Sequence, residues 1–410
     1  MDSNTMVSAY KEDSLGKDDA LGIAEKIKSG ILDVKTVTED SIARAQSVNE
    51  DLNALVAEDF DSALNRSQTT FSGIFNGVPT FIKDTDEVQG LPLFLGSTTL
   101  PGEKSTKTSR AAQQILDTGL NCLGTTTTPE FGLTGTTESK RFGSTCNPWN
   151  TAYSTGGSSG GSSAMVAAGV IPIAHANDGA GSIRIPASCC GLVGMKASRG
   201  RIKDKEVPRY LPANILHDGV VTRTVRDTWA FHSAIEKNVP ATEFPPIGDI
   251  AEKKPNNLLI AVLTEDCTGR QSPDILVKAT HEVANKCQSL GHNIEIISNP
   301  FYSRFDSDFW LLWSHLAFYI RYGGGKEFNP NFDHNKLEQW PKYLVKKHWK
   351  SLHKIPFAFR RLRQFANDYE KLFEKYDILL TPTLGTTTPP LGKFGPEVDG
   401  ETHWERIIEF

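Results

Sequence analysis

A lysine closing a hydrophobic run, a loop made almost wholly of glycine and serine, and a serine in a turn of tiny residues are the parts of this chain best suited to chemistry. The turn reads Asn177-Asp178-Gly179-Ala180-Gly181-Ser182-Ile183-Arg184. Three tiny residues ahead of Ser182 leave backbone N–H groups bare and able to converge on one point, as a developing oxyanion requires. Ser182 is then a candidate nucleophile. A serine needs a base, yet Ser182 sits in no G-x-S-x-G elbow and no histidine is specifically placed for the role. Lysine can replace histidine in serine hydrolases, and Lys83 ends the run Val78-Pro79-Thr80-Phe81-Ile82-Lys83. With a free value near 10.4, about one lysine in 2,500 is neutral at pH 7. Burial must therefore favour the neutral form.

The loop Ser154-Thr155-Gly156-Gly157-Ser158-Ser159-Gly160-Gly161-Ser162-Ser163 admits three readings. Gly/Ser tracts make flexible linkers, but this one runs straight into an Ala- and Val-rich segment. Such loops also cradle phosphate, but the lysine of G-x-x-x-x-G-K-[ST] is missing. The third reading joins the loop to the Ser182 turn as one site. Around it, Arg184 is expected to brace the turn, His175 to be a core histidine satisfied by backbone, and Cys189 with Cys190 to pack beneath.

The elements that must position these residues alternate between two periodicities. Apolar residues from Asp18 to about Ala57 recur at helical spacing and predict two amphipathic helices. Asn76-Gly77 then signals a turn into a strand that ends on Lys83. Arg110 to Asn121 reads as a helix feeding a strand at Cys122-Leu123. Ser162 to Ala168 followed by Val170 to Ala174 repeats that step, so the fold class is α/β. Residues 301–360 hold 16 of the 37 Phe, Trp and Tyr, which predicts either a local helical core or an apolar substrate channel. Asp377 to Thr383 reads as a buried strand stopped by proline.

Composition narrows the class. The 38% hydrophobic fraction with 34 glycines is that of a globular chain able to bury a sizeable core. The 44 Lys and Arg against 49 Asp and Glu leave a net charge of −5, so no bulk positive field invites nucleic acid. The six cysteines include one close pair, and it is adjacent, without the gap of a zinc or redox motif; reduced thiols are expected. Residues 1–15 are polar, lack the apolar core of a secretory signal and are expected to form a flexible tail. Every weakly polar run is shorter than the roughly 20 residues a membrane span needs.

Lys83 in GVPTFIKDTD, the STGGSSGGSS loop and DGAGSIRIPASCCGLVGMK, three blocks in the same order, resemble the amidase signature family of serine amidohydrolases. HANDGAGSIRIPASCCGL and EFGLTGTTESKRFGSTCNPWN are most similar to the branch that includes 6-aminohexanoate cyclic dimer hydrolase. The resemblance implies a single large α/β/α domain over residues 16–410, with a central mixed, twisted sheet flanked by helices and a helical, aromatic-rich insert at about 300–370. It implies Lys83, Ser158 in a cis peptide and Ser182 as a catalytic triad forming an acyl-enzyme. Gly179, Ala180, Gly181 and Ser159 follow as the substrate-binding set. The expected activity is hydrolysis of a linear or cyclic carboxylic amide, with no metal or organic cofactor, in the cytoplasm. The oligomeric state is open, a homodimer included.

Three departures from the family bear on these expectations. Ala180 stands where glycine is commoner, and Ala197 where proline usually follows the lysine at Lys196. Family members also continue beyond the segment matching Glu401 to Phe410, so the resemblance implies missing core strands and an exposed sheet edge. Two rival functions stay open: the amidase subunit of a tRNA-dependent amidotransferase, and a truncated, non-catalytic remnant that binds a ligand or partner.

Overall fold

The computed structural model describes residues 5–202, 215–239, 244–248, 255–266, 268–300 and 304–410. Cys267 and, in the aromatic stretch, Phe301 with Tyr302 lie outside them. The amphipathic run after Asp18 forms α1 (Ala20–Lys28) and α2 (Val34–Leu52). Each starts on an aspartate whose side chain accepts a first-turn amide, Asp19 from Gly22 and Asp33 from Thr36, satisfying donors that a helix leaves unpaired.

The N-terminal residues depart from the expected flexible tail. No helix or strand forms before Ala20 among the described residues, yet Val7, Ala9 and Leu15 are buried. Arg44 of α2 is the reason. Its enclosed guanidinium donates to the Asp13 carboxylate (2.8 Å) and to the carbonyls of Lys11, Gly16 and Gly169. A polar segment is thus held by a cation supplied from elsewhere in the chain.

The chain next lays down β1 (Leu55–Glu58), α3 (Phe60–Arg66), β2 (Pro79–Lys83), α4 (Arg110–Leu116) and β3 (Asn121–Thr126). β3 is the middle strand, antiparallel to β1 and parallel to β2. All of β2 and β3 is buried, Lys83 included. Two short hairpins, β4 (Glu138–Ser139) with β5 (Gly143–Ser144) and β6 (Cys146–Asn147) with β7 (Asn150–Ser154), lead to α5 (Gly160–Ala167) and β8 (Ile173–Asp178). The strand predicted from Val170 starts later because Gly169, at φ 85°, first ends the helix. After α6 (Arg184–Cys190) and β9 (Val193–Gly194), β10 (His217–Thr222) pairs antiparallel with both β8 and β9, and α7 (Val225–Asn238) follows.

β2 and β8 lie side by side and run the same way. Thr80 Oγ1 donates to the Ile173 carbonyl at 3.0 Å, and the Lys83 N–H donates to His175 Nδ1 at 3.2 Å. The mixed sheet is therefore built in pieces, with β1-β3-β2 and β8-β10-β9 abutting through side-chain contacts. A third, parallel piece forms from β11 (Leu259–Val262) and β12 (Asn293–Ile296), linked by α8 (Asp274–Ser289). Three helices, α9 (Phe305–Glu327), α10 (Gln339–Ser351) and α11 (Ile355–Leu372), precede β13 (Ile378–Leu380) and α12 (Gly400–Ile407). β13 pairs with β11 alone. It is half-exposed rather than buried as predicted, because as an outer strand it is covered on one side only. No described helix is long and apolar enough to cross a membrane.

Candidate active site

The C-terminal ends of β2 and β8 bring the first groups together. Lys83 is fully enclosed, with Nζ 2.7 Å from Ser158 Oγ and 2.6 Å from Asn177 Oδ1. Its neighbour Asp84 turns elsewhere, accepting from the amides of Phe94 (2.9 Å) and Gly96 (3.0 Å). Burial pushes the Asp84 carboxyl up to about 7, and those amide bonds offset only part of the rise.

The Gly/Ser loop that carries Ser158 is buried from Ser154 to Val166, which removes the linker reading. The Gly157–Ser158 peptide bond is cis. A Cβ on Gly157 would stand 2.6 Å from the Thr136 carbonyl, so only glycine fits there. Thr137 Oγ1 clamps the loop from outside, accepting from the Gly160 amide (3.0 Å) and donating to the Gly156 carbonyl (2.9 Å). On its inner side the Ser159 N–H donates to the Ser182 carbonyl (3.3 Å), and the Ser159 hydroxyl bonds the Asn177 backbone. Ser159 thus joins loop to turn.

The turn is organised by Asp178. One carboxylate oxygen accepts from the Gly181 amide (2.7 Å) and Arg184 Nη2 (2.9 Å), the other from Arg184 Nε (2.8 Å) and the Ile183 amide (3.3 Å). Burial opposes ionisation, but the Arg184 bonds and charge and the two amides outweigh it and hold the carboxyl below its ordinary value. Arg184 is the brace that the sequence predicts. The left-handed backbone falls on Gly181 (φ 118°) and not on Ala180, which accounts for the alanine there. Of the amides expected to receive an oxyanion, that of Gly181 is committed to Asp178. Those of Ala180 and Ser182 make no hydrogen bond among the described residues.

Behind Lys83, the ligand atoms of Asp86, His175 and Asp218 lie within 4.8 Å of one another, all buried. The set does not suit a metal ion. His175 Nδ1 accepts the Lys83 N–H, so Nε2 carries the ring proton toward Asp218 Oδ1 (3.3 Å), and no lone pair remains. Cys190 is fully buried and Cys189 nearly so, against Thr155 and Gly156, and burial raises the Cys189 thiol to about 11.

A cavity of about 660 Å³ opens on Ser158, Asn177 and Ser182, with Phe131, Trp313, Ile320 and Phe328 among its apolar walls. A second, of about 820 Å³, shares Gly132, Ser182 and Trp313 with it. The aromatic stretch contributes Trp313 and Phe328 to the walls of the first cavity and also builds a helical core. Trp313 and Trp340 pack with Leu133 and Leu344 in a helical core, and both indole N–H groups donate to the Leu133 carbonyl at 3.0 Å.

The Amidase family profile matches residues 36–410. The chain belongs to the amidase signature family. As a member of that family it is an amide-hydrolysing enzyme. It is similar to "Putative amidase AmiC" of Mycobacterium tuberculosis, with 41% identity over 404 residues, 98% of this chain and 85% of that one. The 6-aminohexanoate-cyclic-dimer hydrolase of Paenarthrobacter ureafaciens is 32% identical over 408 residues, 93% and 81% of the two chains. A solved structure of 6-aminohexanoate cyclic dimer hydrolase matches with a TM-score of 0.86 at 31% identity, over 96% of this chain and 84% of that one.

Sequence reasoning missed Asn177, Thr85 and the organising role of Asp178. One signal was available: on a strand, His175 and Asn177 share a face and Asp178 takes the other. Trp313 and its link to Leu133 carried no local signal.

Proposed function

We propose that the chain hydrolyses a carboxylic amide through an acyl-enzyme on Ser182, with Ser158 as the bridge and Lys83 as the base. The observation that carries this reading is the 2.7 Å approach of buried Lys83 Nζ to Ser158 Oγ, beside a cavity that opens on Ser182. At that separation an amine donates to the hydroxyl when it holds three protons and accepts from it when it holds two. One contact therefore serves both halves of a cycle.

In the first half, Ser182 Oγ bonds to the carbonyl carbon, its proton passes to Ser158, and the Ser158 proton passes to Lys83. The carbonyl π pair becomes an oxyanion, for which the Ala180 and Ser182 amides are available. When the C–N bond breaks, the departing nitrogen recovers a proton along the same path and leaves as the amine. Water then adds to the acyl ester, the ester C–O bond breaks, and the acid leaves with the Ser182 hydroxyl restored. Gly181 and Ser159 stay outside these steps and hold the turn. The apolar walls suit a substrate whose acyl or aryl part is apolar.

Intact mass after exposure to a fluorophosphonate tests the reading. A single adduct on the parent and none on Ser182→Ala is expected. An adduct on both chains, or none on a folded parent, would overturn it.

A further inference from the structure

Two arms hold Lys83, a side-chain arm that ends on the buried carboxylate of Asp86 and a backbone arm that passes through His175 to Asp218. The side-chain arm runs from Nζ to Asn177 Oδ1 (2.6 Å), from Asn177 Nδ2 to Thr85 Oγ1 (2.6 Å), and from Thr85 Oγ1 to Asp86 Oδ2 (3.1 Å). Ser109 Oγ donates to the other oxygen of Asp86 at 2.8 Å. The backbone arm runs from the Lys83 N–H to His175, whose Nε2 lies 3.3 Å from Asp218 Oδ1 and 3.9 Å from Asp86 Oδ2.

The directions along the side-chain arm agree with one another. The amine can only donate to the Asn177 amide oxygen, which turns Nδ2 toward Thr85, and Thr85 Oγ1 accepts that N–H while its own proton goes to Asp86. The amide NH2 therefore faces Thr85 and the amide oxygen faces the lysine. A neutral amide oxygen takes an N–H from the amine in either protonation state, whereas a carboxylate in its place would favour the ammonium.

We infer that Asn177 is a positioning residue for Lys83: its amide oxygen takes one N–H of the amine and so aims the nitrogen at Ser158, with Thr85 and Asp86 fixing which way the amide faces. This inference rests on Lys83 acting as the base. Asn177 acts through the lysine rather than on the substrate.

The charged and titratable groups around Lys83 are Asp86 on its own segment, His175 on β8 and Asp218 on β10, with Asp84 turned to the Phe94 and Gly96 amides and Asp178 to Arg184. Across the cavity stand Glu87, Lys107, Tyr319 and Glu327. All of these are common to the parent and the variants below, so a difference in pH response reports the substituted arm.

The experiment is the fluorophosphonate labelling rate of the full chain from pH 5 to pH 10, for the parent, Lys83→Ala, Asn177→Asp, Thr85→Val and Thr85→Ser. Asn177→Asp places a carboxylate against the amine and should move the acid-side midpoint up by about one to three pH units, with labelling recovering at high pH. Thr85→Val frees the amide to turn its NH2 toward Lys83. It should lower the rate several-fold without raising the midpoint, while Thr85→Ser keeps the hydroxyl and labels like the parent. An Asn177→Asp profile that is merely scaled down, with its midpoint in place, overturns the inference. If that variant does not fold, equal rates for Thr85→Val and Thr85→Ser overturn it instead. Labelling of Lys83→Ala at the parent's rate is a separate outcome, which removes the base itself and the inference with it.

Discussion

Replacing Asp178 with alanine removes the acceptor around which the Ser182 turn is folded, and the cost follows from the groups left behind. The amides of Gly181 and Ile183 are both buried and would lose their partner, at about 1–3 kcal/mol each. Arg184 is half-exposed and can turn to water, so its share is small. A total of about 3–5 kcal/mol matches what removing one partner of a buried ion pair costs. Unfolding entropy near 60 °C is about 2.1 cal/mol/K per residue, roughly 0.9 kcal/mol/K for the whole chain, so the loss is about 3–6 °C in Tm. Calorimetry on the parent, Asp178→Ala and Asp178→Asn measures it, and the asparagine, which keeps one carbonyl acceptor, should fall between. The Asp178 carboxyl is held low in the fold, so its contribution is present above its unfolded value and is lost as pH falls through the folded one. The Tm gap should therefore close below about pH 4. Ser182 labelling should fall with Tm at pH 7. A variant within 1 °C of the parent that labels at the parent's rate would refute this account of the turn.

Lys83→Ala and Ser182→Ala should each abolish turnover of an amide, and the double variant should be no worse than either alone, because the two act on one proton path; additive losses in kcat/KM would argue for separate roles. Trp313→Ala should cost about 3–5 kcal/mol of stability and merge the two cavities at Ser182, raising activity on bulky anilides relative to acetanilide; an unchanged ratio would place the indole outside the substrate path. Asp84, pushed up to about 7 by burial, contributes stability that is full below its unfolded value and is lost as pH rises from about 4 to about 7. Urea midpoints should thus decline across that range, and Asp84→Asn should flatten the decline; an identical slope in the variant would show that the group titrates normally.

What the sequence reveals of this fold depends on whether a residue's partner is local. β2 ends on Lys83 as predicted, because a short β-branched and aromatic run bounded by a turn is a local pattern. α1 and α2 appear where the apolar spacing puts them for the same reason. The N-terminal segment was misread because its partner, Arg44, sits on α2. β13 was misread because burial of a strand depends on what covers it. Asp178 lies inside a recognisable motif, but its role exists only once Arg184 folds back on it. The bond from Trp313 to Leu133 joins the aromatic helices to the wall facing Ser158, and only the tertiary fold makes it visible.

The register of β8 ties these local and distant features together. β2 and β8 run side by side, so their C-terminal ends deliver chemistry to one edge, as strands of α/β sheets generally do. At that edge Asn177 turns toward Lys83 and Asp178 toward Arg184. A slip of one residue would exchange the two faces. It would set a carboxylate on the amine and hold it as ammonium, and it would leave the Ser182 turn braced by an amide too weak an acceptor for Arg184. The pairing of β8 with β10 over six consecutive residues, His217 to Thr222 against Asp178 to Ile173, resists such a slip. The order Asn177-Asp178 on a register-locked strand therefore sets a neutral amide against the lysine and keeps the carboxylate for the neighbouring turn.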